Sequence, residues 1–179
     1  IVTEGIWAAK HLVPERLGAA LLVYAAFGLL FLAVPALARR RGTPLLPAAG
    51  TPATVVLSLA MLVFLTFDAV ASAALWGLAF LLAILLVGAI VESRASAQPL
   101  LAAVSIVLAW VLLASWWEGA PLAGVVIPAL FVIALFGVLT LVGTAWASRT
   151  SGVPEFGNAA YLALAGHFFL MFVASNRLL

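Results

Sequence analysis

The sequence predicts an all-α protein, a polytopic transmembrane helical bundle of about six spans. Hydrophobic residues make up 67% of the 179 residues, only 8% are charged, and the mean hydropathy is +1.32. Soluble domains are instead about half apolar and a quarter charged. Apolar stretches of about 20 residues, the length that one helical crossing needs, fill nearly the whole chain. We therefore predict an integral membrane protein with a single bundle over residues 17–179.

Residues 1–16 are predicted to form an interfacial segment before the first span. Trp7 and the scattered charges suit a short helix lying on the membrane surface. Lys10 and Arg16 are candidates for contact with anionic lipid headgroups. The simpler alternative is an anchor that sets the depth of the first span. Because the chain starts at Ile1 rather than Met, we expect it to be a piece of a longer protein.

The first span is predicted over residues 17–38, and three consecutive arginines follow it. Arg39, Arg40 and Arg41 are candidates for lipid-headgroup contact, and the simpler alternative is that they only set the orientation of the span. Three prolines and two glycines in the next 14 residues predict an irregular loop.

Residues 53–91 carry a single charge, on Asp68. One helix over this stretch would be nearly twice as long as the roughly 30 Å hydrocarbon core. Two spans are therefore predicted, over 53–67 and 73–91. In that arrangement Asp68 lies in the turn and can cap the following helix. The alternative is an ion or proton site within the membrane, because acids in spans are candidates for function.

The remaining spans are predicted over residues 100–115, 121–146 and 159–176, separated by polar segments. Trp116 and Trp117 follow the fourth span. Paired tryptophans at the end of a span are typical of the aromatic belt at the headgroup level, so both are candidates for contact with the interface.

His167 lies near the middle of the last predicted span. An imidazole in hydrocarbon needs a hydrogen-bond partner, and the adjacent Gly166 would let a neighbouring helix approach and supply one. A bond between helices is the simpler interpretation, and a proton relay or a substrate contact is the functional alternative. The hydroxyl residues considered as partners are Ser58, Thr66, Ser105 and Thr140.

The distribution of basic residues predicts the orientation. With six spans, five arginines fall on one side of the membrane, namely Arg39, Arg40, Arg41, Arg94 and Arg149. The basic residues on the other side are Lys10, Arg16 and Arg177. The positive-inside rule makes the side with five arginines cytoplasmic. We therefore expect a multi-pass membrane protein with both ends of this chain outside.

Known catalytic patterns are missing from the sequence. It contains no glycine-rich phosphate loop, no nucleophile elbow, no zinc-binding helix motif and no cysteine. His11 and His167 lie far apart, and no third metal ligand can be placed beside them. The net charge of +2 is too small and too dispersed for binding nucleic acid. No catalytic residue, cofactor or metal is predicted.

Two stretches resemble a known family. The segments "WAAKHLVPERLGAALLVYAAFGLLFLAVPALARRRG" and "AAYLALAGHFFLMFVA" are similar to parts of the bacterial domain of unknown function 2339 family. The resemblance implies that the chain is a fragment of a long protein with many spans in the bacterial inner membrane. That family has no established activity, so it supplies no catalytic residues.

Three classes of function stay open. We predict first a structural or assembly module within a larger membrane protein or complex, and not an enzyme. Its partners would be membrane lipids and other transmembrane helices or subunits. The second class is a transporter or channel that uses Asp68 or His167, with an unknown substrate. The third is a membrane enzyme acting on a lipid or lipid-linked sugar.

Overall fold

A computed structural model of the chain describes residues 14–42, 53, 56–60, 62–63, 74–119 and 125–176. Five of its helices are long and apolar enough to cross a membrane. They are α1 (Pro14–Arg40), α2 (Leu75–Ala95), α3 (Pro99–Gly119), α4 (Val126–Ser151) and α5 (Glu155–Asn176). The predicted fold class, an all-α bundle of membrane-spanning helices, is confirmed.

Each helix extends beyond its predicted span at one end or at both. Helix α2 continues past Val91 to Ala95, and Glu92 and Ser93 in this extension are buried against the bundle. Helix α5 begins at Glu155, in a first turn where a carboxylate suits the positive end of the helix dipole.

Helices α1 and α2 run in the same direction. A Cβ atom on a glycine of one helix would meet a leucine of the other at three levels: Gly77 with Leu21, Gly28 with Leu85, and Gly88 with Leu32. The residue numbers rise together along both helices, as they do in a parallel pair. Gly42, just after α1, and Ala74, just before α2, therefore lie at opposite ends of the bundle. The chain between them connects the two sides.

Part of the predicted second span lies inside the bundle. Residues 56–60 and 62–63 are helical, and Leu59 and Leu62 are buried. Ser58 and Leu62 line a small cavity together with Gly28, near the middle of α1. This placement supports a crossing between α1 and α2. Asp68 and its predicted turn lie outside the described residues, so that part stays a prediction.

A tight turn reverses the chain between α2 and α3. The backbone N–H of Gln98 donates to Ser93 O at 2.9 Å, and the N–H of Ala97 donates to Arg94 O at 3.2 Å. Ala97 has a φ of 53°, the left-handed conformation that ends helices in this way. Pro99 then begins α3, which returns antiparallel to α2.

Helices α2 and α4 are parallel, and α5 returns along α4. Gly143 of α4 faces Ile90 of α2, and Thr150 further along α4 bonds to Arg94 further along α2. Gly152, with a φ of 70°, ends α4 just before the start of α5. Among the described helices, α4 and α5 have the most extensive contact.

The core of the bundle comprises α2, α3, α4 and α5, and α1 is peripheral. Half of the membrane-spanning stretch is buried in α2 and in α3, against only 6% in α1. Helix α1 packs chiefly on α2. Small residues that are fully buried let the core helices approach closely. They include Ala89, Ala102, Ala109, Ala129, Ala147 and Ala163.

Candidate functional site

His167 is a buried polar side chain near the middle of α5. Only 5% of its surface is exposed. The indole Nε1–H of Trp110, near the middle of α3, donates a hydrogen bond of 2.9 Å to His167 Nδ1. The two rings meet edge to face, with centroids 5.8 Å apart. The pair therefore ties α3 to α5 at mid-membrane depth.

Two glycines make room for this pair. Gly166 lies directly under the Trp110 indole, where a Cβ atom would overlap the ring. Gly137 of α4 lies against His167, whose own Cβ would be 3.3 Å from a Cβ added at that glycine. The close approach at Gly166 brings in a partner for His167, as the sequence suggested. The partner is an indole, however, and not Ser58, Ser105 or Thr140. Thr66 lies outside the described residues.

The buried hydroxyls form a different kind of bond. Ser105, Thr140 and Thr144 each donate to the carbonyl oxygen four residues earlier in their own helix, at 2.7, 2.8 and 2.7 Å. Their polarity is satisfied within one helix, so these three residues do not line a polar path between helices.

The bond from Trp110 favours one tautomer of His167. An indole N–H can only donate, so in this bond Nδ1 is the acceptor and a neutral imidazole carries its proton on Nε2. The carbonyl oxygen of Ala163 is also 3.0 Å from Nδ1, but it can accept a bond only in the other tautomer. Nε2 is buried and has no hydrogen-bond partner among the described residues. The site therefore presents one buried N–H donor.

This arrangement limits the chemistry of the site. With Nδ1 engaged by Trp110 and Nε2 protonated, the neutral imidazole has no lone pair available for a metal ion. The part of the chain that the structure describes contains no group of three or more histidine, aspartate, glutamate or cysteine residues that could hold a metal. His167 can donate a hydrogen bond to an acceptor, or exchange its proton.

Among the described residues, no other predicted site residue contacts His167. Asp68 and Lys10 lie outside the described residues. Arg16 is in the first turn of α1, and Arg39 and Arg40 end the same helix, but their side chains are outside what the structure describes. Arg41 follows α1 and is exposed.

The prediction that Trp116 and Trp117 contact the headgroup layer is corrected by the structure. Their side chains are 3% and 2% exposed and face the interior of the bundle. Both rings are large and apolar and lie on the same face of α3 as Leu112 and Leu113, which are also buried. Trp116 lines a small cavity between helices together with Leu75 of α2. Their position at the end of a span does not decide which way the rings face.

Two features escaped the sequence analysis. Trp110 stands alone in an aliphatic span, and an indole N–H in hydrocarbon requires an acceptor, so its position was the available signal. The second feature is a contact between α2 and α4: Arg94 Nε donates to Thr150 Oγ1 at 2.6 Å, and the guanidinium lies 4.8 Å from the centre of the Trp146 ring. Only the fold brings those residues together.

The tautomer of His167 can be tested directly. We expect the ring nitrogens of isotope-labelled protein, measured by NMR, to show a neutral imidazole protonated at Nε2. Trp110→Phe should change the chemical shift of His167 Nδ1. In a double-mutant cycle of unfolding free energies, the Trp110 and His167 substitutions should show an interaction energy of about 0.6 kcal/mol, and of no more than roughly 1.7 kcal/mol. His11→Gln removes the only other histidine and serves as the background. An imidazole protonated at Nδ1 would show that the Ala163 carbonyl is the partner instead.

Comparison with known proteins adds no relative from which a role for this site could be transferred. No protein-family model, no curated protein and no solved structure matches the chain.

Proposed function

We propose that the chain is a structural or assembly module of a larger membrane protein or complex. The observation that carries the proposal is the closed, apolar centre of the described bundle. The buried polar side chains there are three hydroxyls bonded within their own helices and His167, which is bonded to Trp110. Buried Glu92 and Ser93 lie in the last turns of α2, away from the centre.

The proposed partners are membrane lipids and other transmembrane helices. Support comes from α1, whose spanning stretch is 6% buried although it carries large apolar side chains such as Leu22 and Phe27. In lipid such a face has no hydrophobic cost, so it suits either lipid or a further helix. The resemblance to the domain of unknown function 2339 family, whose proteins have many spans, agrees with a module that packs beside other helices, and membership of that family is part of this proposal.

The proposed location is the bacterial inner membrane, with the arginine-rich end of the bundle in the cytoplasm. Helices α1, α2 and α4 run in the same direction, so Arg41, Arg94 and Arg149 share one end, and the positive-inside rule favours the cytoplasm for it. Pro14 and Asn176 share the opposite end, which we propose to be outside.

Transport is the second candidate, and His167 is the observation that favours it. Its buried Nε2–H has no partner among the described residues, and ionisable groups inside a membrane are candidates for proton or substrate pathways. Asp68 would be the companion group, and it lies outside the described residues. The membrane-enzyme alternative stays a prediction: it would need charged residues clustered at one interface, and Glu118 is an exposed acid at the end of α3.

Proton flux separates the two candidates. The purified chain is reconstituted into liposomes that contain a pH-sensitive dye, and a pH gradient is applied. Because the described centre is closed, we expect the pH to change no faster than in protein-free liposomes. The matched control is the His167→Asn protein. Flux that disappears in this variant would favour transport, and flux that persists in it would contradict the closed centre.

A further inference from the structure

Arg94 is held in a defined position at the arginine-rich end of the bundle. Its Nε–H donates to Thr150 Oγ1 at 2.6 Å, and Nη2 makes a longer contact of 3.5 Å with the Thr150 carbonyl oxygen. The Thr150 hydroxyl in turn donates to the Trp146 carbonyl oxygen at 2.7 Å. The guanidinium also lies over the Trp146 ring, 4.8 Å from its centre. The side chain is therefore oriented before any ligand arrives.

With the midpoint of α2 taken as the centre of the membrane, Arg94 lies at the edge of the hydrocarbon core, next to the headgroup layer. It lies nine positions after Leu85, the midpoint of α2, which is roughly 14 Å along the helix at 1.5 Å per residue. Half of a typical hydrocarbon core is about 15 Å thick. The Trp146 ring beside it is 41% exposed, and indole rings favour the same level of the membrane.

The guanidinium keeps donors for a ligand. It has five N–H groups, and the contacts with Thr150 use two of them. The others can form charge-assisted bonds to an oxyanion, in the planar geometry that suits phosphate. Arg149 is exposed next to Thr150 and adds positive charge. Glu155, exposed at the same end, and Glu92, buried two residues before Arg94, offset part of it.

We propose that Arg94, supported by Trp146 and Thr150, binds the phosphate of an anionic phospholipid in the cytoplasmic leaflet. The depth of the guanidinium favours a membrane lipid over a soluble phosphate ester, because the site lies where lipid phosphates are concentrated. The exposed indole offers a surface for the glycerol and upper acyl chain of the same lipid. The inference rests on the membrane placement of the bundle and not on its role in assembly.

The test measures binding of dihexanoyl phosphatidylglycerol to the purified protein in a neutral detergent by calorimetry. We expect saturable binding, and we expect Arg94→Gln to weaken it about tenfold, since a charge-assisted hydrogen bond is lost. The matched control is Arg41→Gln, which removes an exposed charge from the same end that has no supporting ring or hydroxyl among the described residues. It should weaken binding less than about threefold, because it contributes only screened attraction.

A second variant keeps the experiment decisive if Arg94→Gln fails to fold. Thr150→Val keeps every charge but removes the acceptor that orients Arg94, so we expect binding to weaken by about threefold or more. Helix content and thermal midpoint confirm that each variant is folded. Dihexanoyl phosphatidylcholine should bind more weakly than the anionic lipid.

Three results would overturn the proposal. The first is no saturable binding of phosphatidylglycerol. The second is an equal loss in Arg94→Gln and Arg41→Gln, which would indicate diffuse attraction to the whole basic end. The third is binding of glycerol 1-phosphate as tight as that of the lipid, which would indicate a site for a soluble phosphate. None of these depends on the outcome of the flux measurement.

Discussion

Replacing Gly166 with alanine is expected to lower the free energy of unfolding by about 2–3 kcal/mol. The added methyl group would occupy the same space as the Trp110 indole, which lies directly on this glycine. An indole is rigid and is packed between α3 and α5, so it cannot turn aside as the end of a leucine can. Its displacement would also break the bond to His167 Nδ1. Reversible unfolding by SDS titration in mixed micelles measures the change.

Gly157 provides the matched control on the same helix. A Cβ atom there would meet no neighbouring atom within 4 Å, so Gly157→Ala should leave stability unchanged or raise it by up to about 1 kcal/mol through helix propensity. Adding Trp110→Leu to Gly166→Ala should recover part of the loss, because the smaller side chain leaves room for the methyl group. Equal effects at Gly157 and Gly166 would contradict the predicted overlap with Trp110.

We expect each cysteine introduced at a helix end to react with an impermeant thiol reagent from one side of the membrane only. The chain has no cysteine, and four exposed positions report on the helix ends. We expect Gly42→Cys, Ala97→Cys and Gly152→Cys to react with an impermeant thiol reagent from one side, and Gly119→Cys only from the other. The physical reason is that α1, α2 and α4 run in the same direction. The measurement is the extent of labelling of each cysteine in vesicles of known orientation.

Gly42 is the decisive position in that experiment. If it reacts from the same side as Gly119, then α1 and α2 are antiparallel, and the chain between them does not cross the membrane. Asp68→Cys extends the measurement to the predicted turn. Labelling together with Gly119 would support a turn and a sixth span, whereas protection from both sides, with Gly119 still labelled, would place Asp68 within the membrane and favour transport.

The sequence could identify the polar residue of the candidate site, but not the residue that it bonds to. His167 stands out because an imidazole is rare in a span, and Gly166 indicates close approach of a neighbouring helix. Which helix approaches depends on the arrangement of α3, α4 and α5. The positions of Trp110 and His167 in the sequence contain no information about that arrangement.

Trp116 and Trp117 show the same limit. Two tryptophans at the end of a span predict an aromatic belt, yet both rings are buried. In a soluble protein the pattern of polar residues would reveal the inward face of the helix. In lipid the outside is as apolar as the inside, so the pattern disappears.

The sequence by itself determined that this is a helical membrane protein and where most of its spans lie. A bilayer sets the length of each span, and each helix must satisfy its own backbone hydrogen bonds in hydrocarbon, so local composition is sufficient. Only the tertiary structure decided the parallel pairing of α1 with α2, the bond from Trp110 to His167 and the contact of Arg94 with Thr150. These contacts join residues far apart in the chain, and they depend on small residues and single polar groups that hydropathy does not distinguish.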